Sequence, residues 1–116
     1  TRLVLRQMAA AGRGTIVNVA TQALGQVPKG FAPYLVAKSG LRGLTQALAT
    51  EYAERGIRVF SVSPGYMDTS LTKSWPTALR PKEAGTDHAD PVLVARRIVT
   101  LVGDEDVAGR GEDHEV

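Results

Sequence analysis

The chain has 116 residues, 43% of them hydrophobic and 22% charged, which bounds it to one small globular unit with a modest core. Cysteine is absent, so disulfide and thiol chemistry are excluded; that is compatible with a reducing compartment, and a cytoplasmic location is the expectation. No apolar run reaches membrane-spanning length and no signal-peptide pattern is visible, while the net charge of +2 comes without an aromatic-laced basic stripe, which argues against nucleic-acid binding.

In chain order, "TRLVLRQMAAAG" reads as the last turns of a helix, with Leu3, Leu5, Met8 and Ala9 at helical spacing and Gly12 placed to stop it. "TIVNVA" (Thr15–Ala20) reads as a buried strand rich in β-branched residues. "TQALGQVPKG" is a loop with Gly25, Pro28 and Gly30 as breakers. A long helix is predicted from about Ala32 to Arg55. Its apolar stripe is Ala37, Leu41, Leu44, Leu48 and Tyr52, and Gly56 is its stop. "IRVFSV" (Ile57–Val62) is the next strand and "SPG" ends it. "DTSLTKSWP" reads as a short helix or lid, and "PTALRPKEAGTDHA" as a loop. Asp90 caps a last helix with Pro91 at its first position; that helix runs through Val92, Ala95, Ile98, Val99 and Val102. A weak strand closes the chain near Val107 to Val116.

Charge is unevenly placed. Residues 1–103 hold 13 Lys/Arg against 6 Asp/Glu, whereas residues 104–116 hold one Arg against six Asp/Glu. The acidic end "DEDVAGRGEDHEV" therefore reads as a solvated surface segment or tail. The basic excess elsewhere suits a phosphate-bearing ligand. His88 and His114 lack partners at metal-ligand spacing, so no zinc site is expected.

Strand, long helix, strand within about 50 residues is a βαβ unit, whose strands should be parallel with a right-handed crossover. The fold class is α/β, a three-layer arrangement or part of one. Ligands of such sheets sit beyond the carboxyl ends of the strands, here Ala20–Thr21 and Ser63–Pro64–Gly65.

The chemistry-bearing stretch is "YLVAKSG", Tyr34 to Gly40. Positions four apart share a helix face, so Tyr34 and Lys38 are neighbours. A phenol is a poor base near neutrality, and an adjacent ammonium favours its ionised form. Taken alone, Y-x-x-x-K is most often a surface tyrosine beside a surface lysine. Here "GRGTIVNVATQALG" precedes the pair and "RVFSVSPGYMDTSLT" follows the helix. Together these three elements resemble the short-chain dehydrogenase/reductase family of Rossmann-like oxidoreductases, over the whole chain but only over the C-terminal half of a family member.

That resemblance implies a partial Rossmann-like parallel sheet, the C-terminal half of a doubly wound fold. Residues 1–116 would form a single half-domain. Residues 1–12 end a helix, 15–65 form the strand-helix-strand with Y-x-x-x-K, 66–89 the substrate lid, and 90–116 the last helix and strand. It implies Tyr34 as the catalytic acid/base and Lys38 as the residue that bonds the nicotinamide ribose and eases ionisation of the phenol. Thr21 falls where the family usually has its catalytic serine, a departure whose methyl group crowds the site. Pro64, Gly65 and Met67 would line the nicotinamide pocket, and Thr69 would bond the carboxamide or a phosphate. The implied cofactor is NAD or NADP, and the implied substrate is a small carbonyl or alcohol. Trp75, Leu71 and Tyr66 in the lid hint at an apolar or aromatic one.

Other family features are missing. The chain has no glycine-rich strand-to-helix turn for a pyrophosphate, no residue to read the adenosine ribose, and no "NNAG" segment. The family's structural asparagine on the preceding helix is also absent, since Asn18 lies on a strand. Cofactor binding is thus expected to need a partner chain, and the open strand edge and the long helix are expected to make the chain a homo-oligomer or part of a complex with a longer reductase-like protein. Gly40 and Gly43 would let the long helix pack closely at such an interface. Two other readings stay open: a non-catalytic subunit that stabilises a full-length reductase, and a fragment with no function of its own.

Overall fold

The computed structural model describes residues 1–26, 29–75 and 88–116. Val27, Pro28 and residues 76–87, most of the loop read over 76–89, lie outside the described residues. Helix α1 spans Arg2–Ala11, strand β1 Gly14–Val19, the short helix α2 Ala23–Gln26, and helix α3 Ala32–Tyr52. A 3-10 turn at Ala53–Arg55 leads to strand β2, Ile57–Ser63. Helix α4 (Ser70–Lys73), helix α5 (Pro91–Gly103) and strand β3 (Arg110–Glu115) follow. Among the described residues no helix is long and apolar enough to cross a membrane.

The sheet is three-stranded and wholly parallel, in the order β1-β2-β3, as the βαβ pattern implies. Two glycines set where its strands begin. Gly12 ends α1 with φ 65° and Gly56 ends the 3-10 turn with φ 69°, a region that side-chain-bearing residues adopt at a cost. A Cβ on Gly56 would also collide with the Gly12 carbonyl. The two turns therefore nest, Gly14 donates its N–H to the Gly56 carbonyl at 3.3 Å, and Gly14 pairs with Ile57 to start the register.

Strand alternation then sorts side chains onto two faces. Ile57 and Val59 pack with Leu5, Leu48 and Ala49 under α1 and α3. Phe60 and Val62 pack with Leu101 and Val107 on the opposite, α5 face. β2 is buried on both sides, which its near-continuous apolar sequence suits. β1 is an edge strand among the described residues.

The structure corrects several sequence expectations. The seam of α3 is Thr45, Leu48 and Ala49, while Leu44 is 45% exposed and Ala37 lies outside the core. On α5 the buried residues are Val94 and Leu101, with Ile98 packed beside them; Val92, Val99 and Val102 face outward. Both candidate faces of α5 are apolar, so periodicity could not tell which one the sheet would cover. Residues 23–26 form a helix within the segment read as a loop. Gly40 and Gly43 have open space where a Cβ would stand, so no packing among the described residues requires them.

Helix α5 starts as the capping reading has it. The Asp90 carboxylate accepts a hydrogen bond from the Val92 N–H at 2.8 Å, and Pro91 occupies the first turn. Asp90→Ala should lower stability by about 1 kcal/mol. A urea melt indistinguishable from the parent would show that the cap contributes nothing.

The acidic end is not a solvated tail: half of it is β3. Asp113 and Glu112 are only partly exposed, and each is held by hydrogen bonds. Burial pushes the Glu112 carboxyl upward, but the backbone N–H groups of Glu112, Gly109 and Arg110, and then the His114 charge, outweigh it and hold it below 4.5. A carboxyl depressed in the folded state stabilises above its unfolded value, and that contribution disappears as pH falls through the folded one. Glu112→Gln should therefore flatten the pH dependence of stability below about pH 4.5 and leave neutral pH less stable. Parallel acid limbs for parent and variant in a pH series of urea melts would refute this.

Candidate active site at the carboxyl ends of the strands

The first turn of α3 carries Pro33 in a position where a missing N–H costs nothing. Tyr34 and Lys38 are one turn apart on that helix. The Lys38 Nζ donates to the Val19 carbonyl at 2.7 Å and lies 5.8 Å from the centre of the Tyr34 ring. Val19 is the last residue of β1, so the ammonium is anchored at the carboxyl end of the sheet. Burial lowers the Lys38 pKa from its usual 10.5. Two of the three ammonium protons are left for other acceptors beside the Val19 carbonyl.

The helix itself is tied to β1 by polar contacts. Asn18 Nδ2 donates to Thr45 Oγ1 at 2.8 Å, and that hydroxyl donates to the Leu41 carbonyl at 2.8 Å. Thr45 is fully buried, so this relay fixes α3 over β1. Further along, Arg42 reaches Asp113 at 3.3 Å, and Asp113 also accepts from Ser61 Oγ (2.5 Å) and Ser63 Oγ (2.8 Å). The helix that carries Tyr34 and Lys38 is thereby bound to all three strands.

Thr21 stands two residues beyond the end of β1 and is 8% exposed. Its Oγ1 accepts from the Ala23 N–H at 3.2 Å, which orients the hydroxyl while leaving its own proton to donate. Pro64 and Gly65 follow β2, and the Pro64 carbonyl accepts from the Gln22 N–H at 3.1 Å. The two loops beyond the strands are thus stitched together. Thr69 begins α4, where its N–H donates to Thr72 Oγ1 at 2.8 Å; that hydroxyl in turn donates to the Met67 carbonyl at 2.7 Å. Thr69 and Met67 are therefore engaged in starting α4.

Aromatic side chains surround Tyr34. Its ring centre lies 6.0 Å from Phe31 and 5.6 Å from Trp75. Trp75 is 5.0 Å from Phe31 and 6.1 Å from Tyr66, and Tyr66 is 4.9 Å from His88. Beside this row a cavity of ≈ 560 Å³ is lined by Gln22, Gly65, His88, Leu93, Val94 and Arg97 among others. Leu71 is 65% exposed and has no place in the row. Sequence reasoning missed Phe31, Arg42, His88 and Asp113. The first two stand three before Tyr34 and four after Lys38, a spacing that could have found them. His88 and Asp113 come from distant segments and gave no local signal.

The short chain dehydrogenase family profile matches residues 1–80. The chain belongs to the short-chain dehydrogenase family. It is 42% identical over 106 residues to a cis-4-hydroxycyclohexanecarboxylate dehydrogenase of Sinomonas cyclohexanicum, covering 86% of this chain and 42% of that protein. It is 36% identical over 103 residues to a 3-oxoacyl-(acyl-carrier-protein) reductase of Pseudomonas aeruginosa, covering 89% and 42%. The crystal structure of the TT0495 protein from Thermus thermophilus superposes with a TM-score of 0.78 at 30% identity, covering 99% of this chain and 52% of that one. This short-chain dehydrogenase sequence thus spans about half the length of these relatives.

The residues present fit one end of the nicotinamide dinucleotide that the family implies. Lys38 has donors to spare at the end of β1, and Gly65 faces Gln22 and Ala89 with room for a Cβ at ordinary contact distance. For the pyrophosphate the chain has no glycine-rich strand-to-helix turn.

Proposed function

We propose that this short-chain dehydrogenase chain supplies the proton-transfer half of an NAD(P)-dependent oxidoreductase acting on a carbonyl or alcohol. The observation that carries the reading is Lys38, held by the Val19 carbonyl at the sheet's carboxyl end with its ammonium beside the Tyr34 ring. In the reduction direction, the Tyr34 hydroxyl gives its proton to the oxygen of the substrate carbonyl. The Lys38 charge stabilises the negative charge that develops on the phenol oxygen. The Thr21 hydroxyl, oriented by the Ala23 N–H, donates to the same substrate oxygen and holds the carbonyl in place. Lys38 would also bond a ribose hydroxyl, while Pro64, Gly65 and Met67 would flank the nicotinamide and Thr69 its carboxamide or a phosphate. The bound cofactor supplies or accepts the hydride.

Holding the rest of the cofactor falls to residues outside this 116-residue sequence, such as those of a longer reductase-like chain. The edge of β1 left unpaired among the described residues supports this, because an open parallel edge invites strand addition. The test is to titrate NADH and NADPH into the purified chain, then to assay NAD(P)H-dependent ketone reduction after co-expression with a dinucleotide-binding half. Weak binding alone and turnover in the assembly are expected. Micromolar affinity of the lone monomer would overturn the division of labour, and no turnover in an assembly that binds cofactor would overturn the catalytic reading.

One observation favours a non-catalytic, stabilising subunit: Thr21 is buried and already engaged with Ala23. Thr21→Ser separates the two, since a catalytic chain should keep or gain turnover and a purely structural one should show none.

A further inference from the structure

The chain is poor in aromatic residues, and it spends them in one place. Of its two Phe, three Tyr and one Trp, four stand in a row around the reacting phenol: Phe31, Tyr34, Trp75 and Tyr66. None of the four belongs to either core cluster, and all four are half-buried rather than packed away. They come from separate places along the chain: the residue before α3, α3 itself, the segment after β2 and the turn after α4. Core packing does not account for such convergence.

Among Phe31, Tyr34, Trp75 and Tyr66 the ring planes meet at 60° to 78°, the edge-to-face arrangement in which ring hydrogens point at neighbouring ring faces, and His88 stands tilted at 57° to Tyr66. His88 ends the row and also lines the ≈ 560 Å³ cavity, so the aromatic surface continues from the phenol into open volume. That volume lies in the range typical of small-molecule sites. A compact ring presents rigid C–H edges to such faces and loses little conformational entropy when held. A linear chain of equal carbon number must freeze several torsions to make the same contacts.

We propose that this row is the substrate-binding wall of the site, and that it selects a ring-bearing secondary alcohol or the corresponding ring ketone over an open-chain one. Phe31, Trp75 and Tyr66 are the specificity-determining residues. The proposal rests on the alcohol/carbonyl reading of Tyr34, but its test requires no turnover. Trp75 is the one tryptophan of the chain, so its emission reports directly on the wall.

The experiment titrates cyclohexanol and hexan-2-ol separately into the purified chain while following Trp75 fluorescence. Hexan-2-ol offers at least as much apolar surface, so unspecific hydrophobic binding would rank it first. Cyclohexanol is instead expected to act at a roughly tenfold lower concentration. Phe31→Leu and Tyr66→Leu should each bring the two alcohols close to parity. Tyr52→Leu, an aromatic outside the row, should leave the preference intact, and circular dichroism would establish that each variant is folded. Equal potency, the reverse order, no response to either alcohol, or a preference that survives both wall substitutions would overturn the inference. Ring-selective binding without NAD(P)H-dependent turnover in the reconstituted assembly would overturn the oxidoreductase reading alone.

Discussion

In an assembly that turns over, Tyr34→Phe should lower kcat by ~10²–10⁴-fold, the usual contribution of a positioned acid/base. The substitution removes one oxygen and keeps the ring, so the edge-to-face contacts with Phe31 and Trp75 persist. KM for the ketone should change little, because the wall that would bind it is unaltered. That split separates proton transfer from substrate binding. Tyr52→Phe makes the control: Tyr52 ends α3 and packs against the core beneath α1, away from the aromatic row. Steady-state rates of the two variants in the same assembly decide the matter. Unchanged kcat in Tyr34→Phe would place the chain among non-catalytic subunits.

The second large effect concerns Asp113 and stability. Ser61 and Ser63 are each 1% exposed, and both hydroxyls donate to the Asp113 carboxylate. Arg42 adds a charge at 3.3 Å from α3. Asp113→Ala leaves two buried hydroxyls without their acceptor. At about 1–3 kcal/mol for each unsatisfied buried group, the expected loss is about 2–6 kcal/mol. The Arg42 pair contributes little to that figure, since the Arg42 side chain is 44% exposed. Asp113→Asn keeps an acceptor oxygen and should cost much less. Replacing all three polar groups together, with Ser61→Ala, Ser63→Ala and Asp113→Leu, should recover much of the loss. Urea melts of the set measure this. An Asp113→Ala variant within about 0.5 kcal/mol of the parent would mean that the serines find other partners. The consequence reaches the site, because Arg42 stands on the helix that carries Tyr34 and Lys38.

Much of the molecule was legible in the sequence wherever the signal is local. β-branched runs at Ile16–Val17 and Ile57–Val62 mark strands, and Gly12 and Gly56 mark stops because the backbone there must turn left-handed. Asp90–Pro91 marks a helix start through a hydrogen bond two residues away. Tyr34 and Lys38 share a face through helical geometry alone. Only the tertiary structure decided which apolar face of α5 the sheet would cover, because Val94, Ile98 and Leu101 compete with an equally apolar Val92–Val99 face. It alone decided the fate of the acidic end. Asp113 looks solvated in a run of charges until parallel pairing sets it opposite Ser61, where two hydroxyls and Arg42 take the place of water. The aromatic wall is of the same kind: Phe31, Tyr66, Trp75 and His88 are scattered over nearly 60 residues of sequence, and ring-to-ring contact exists only once β1, β2 and the chain entering α5 end at the same rim of the sheet.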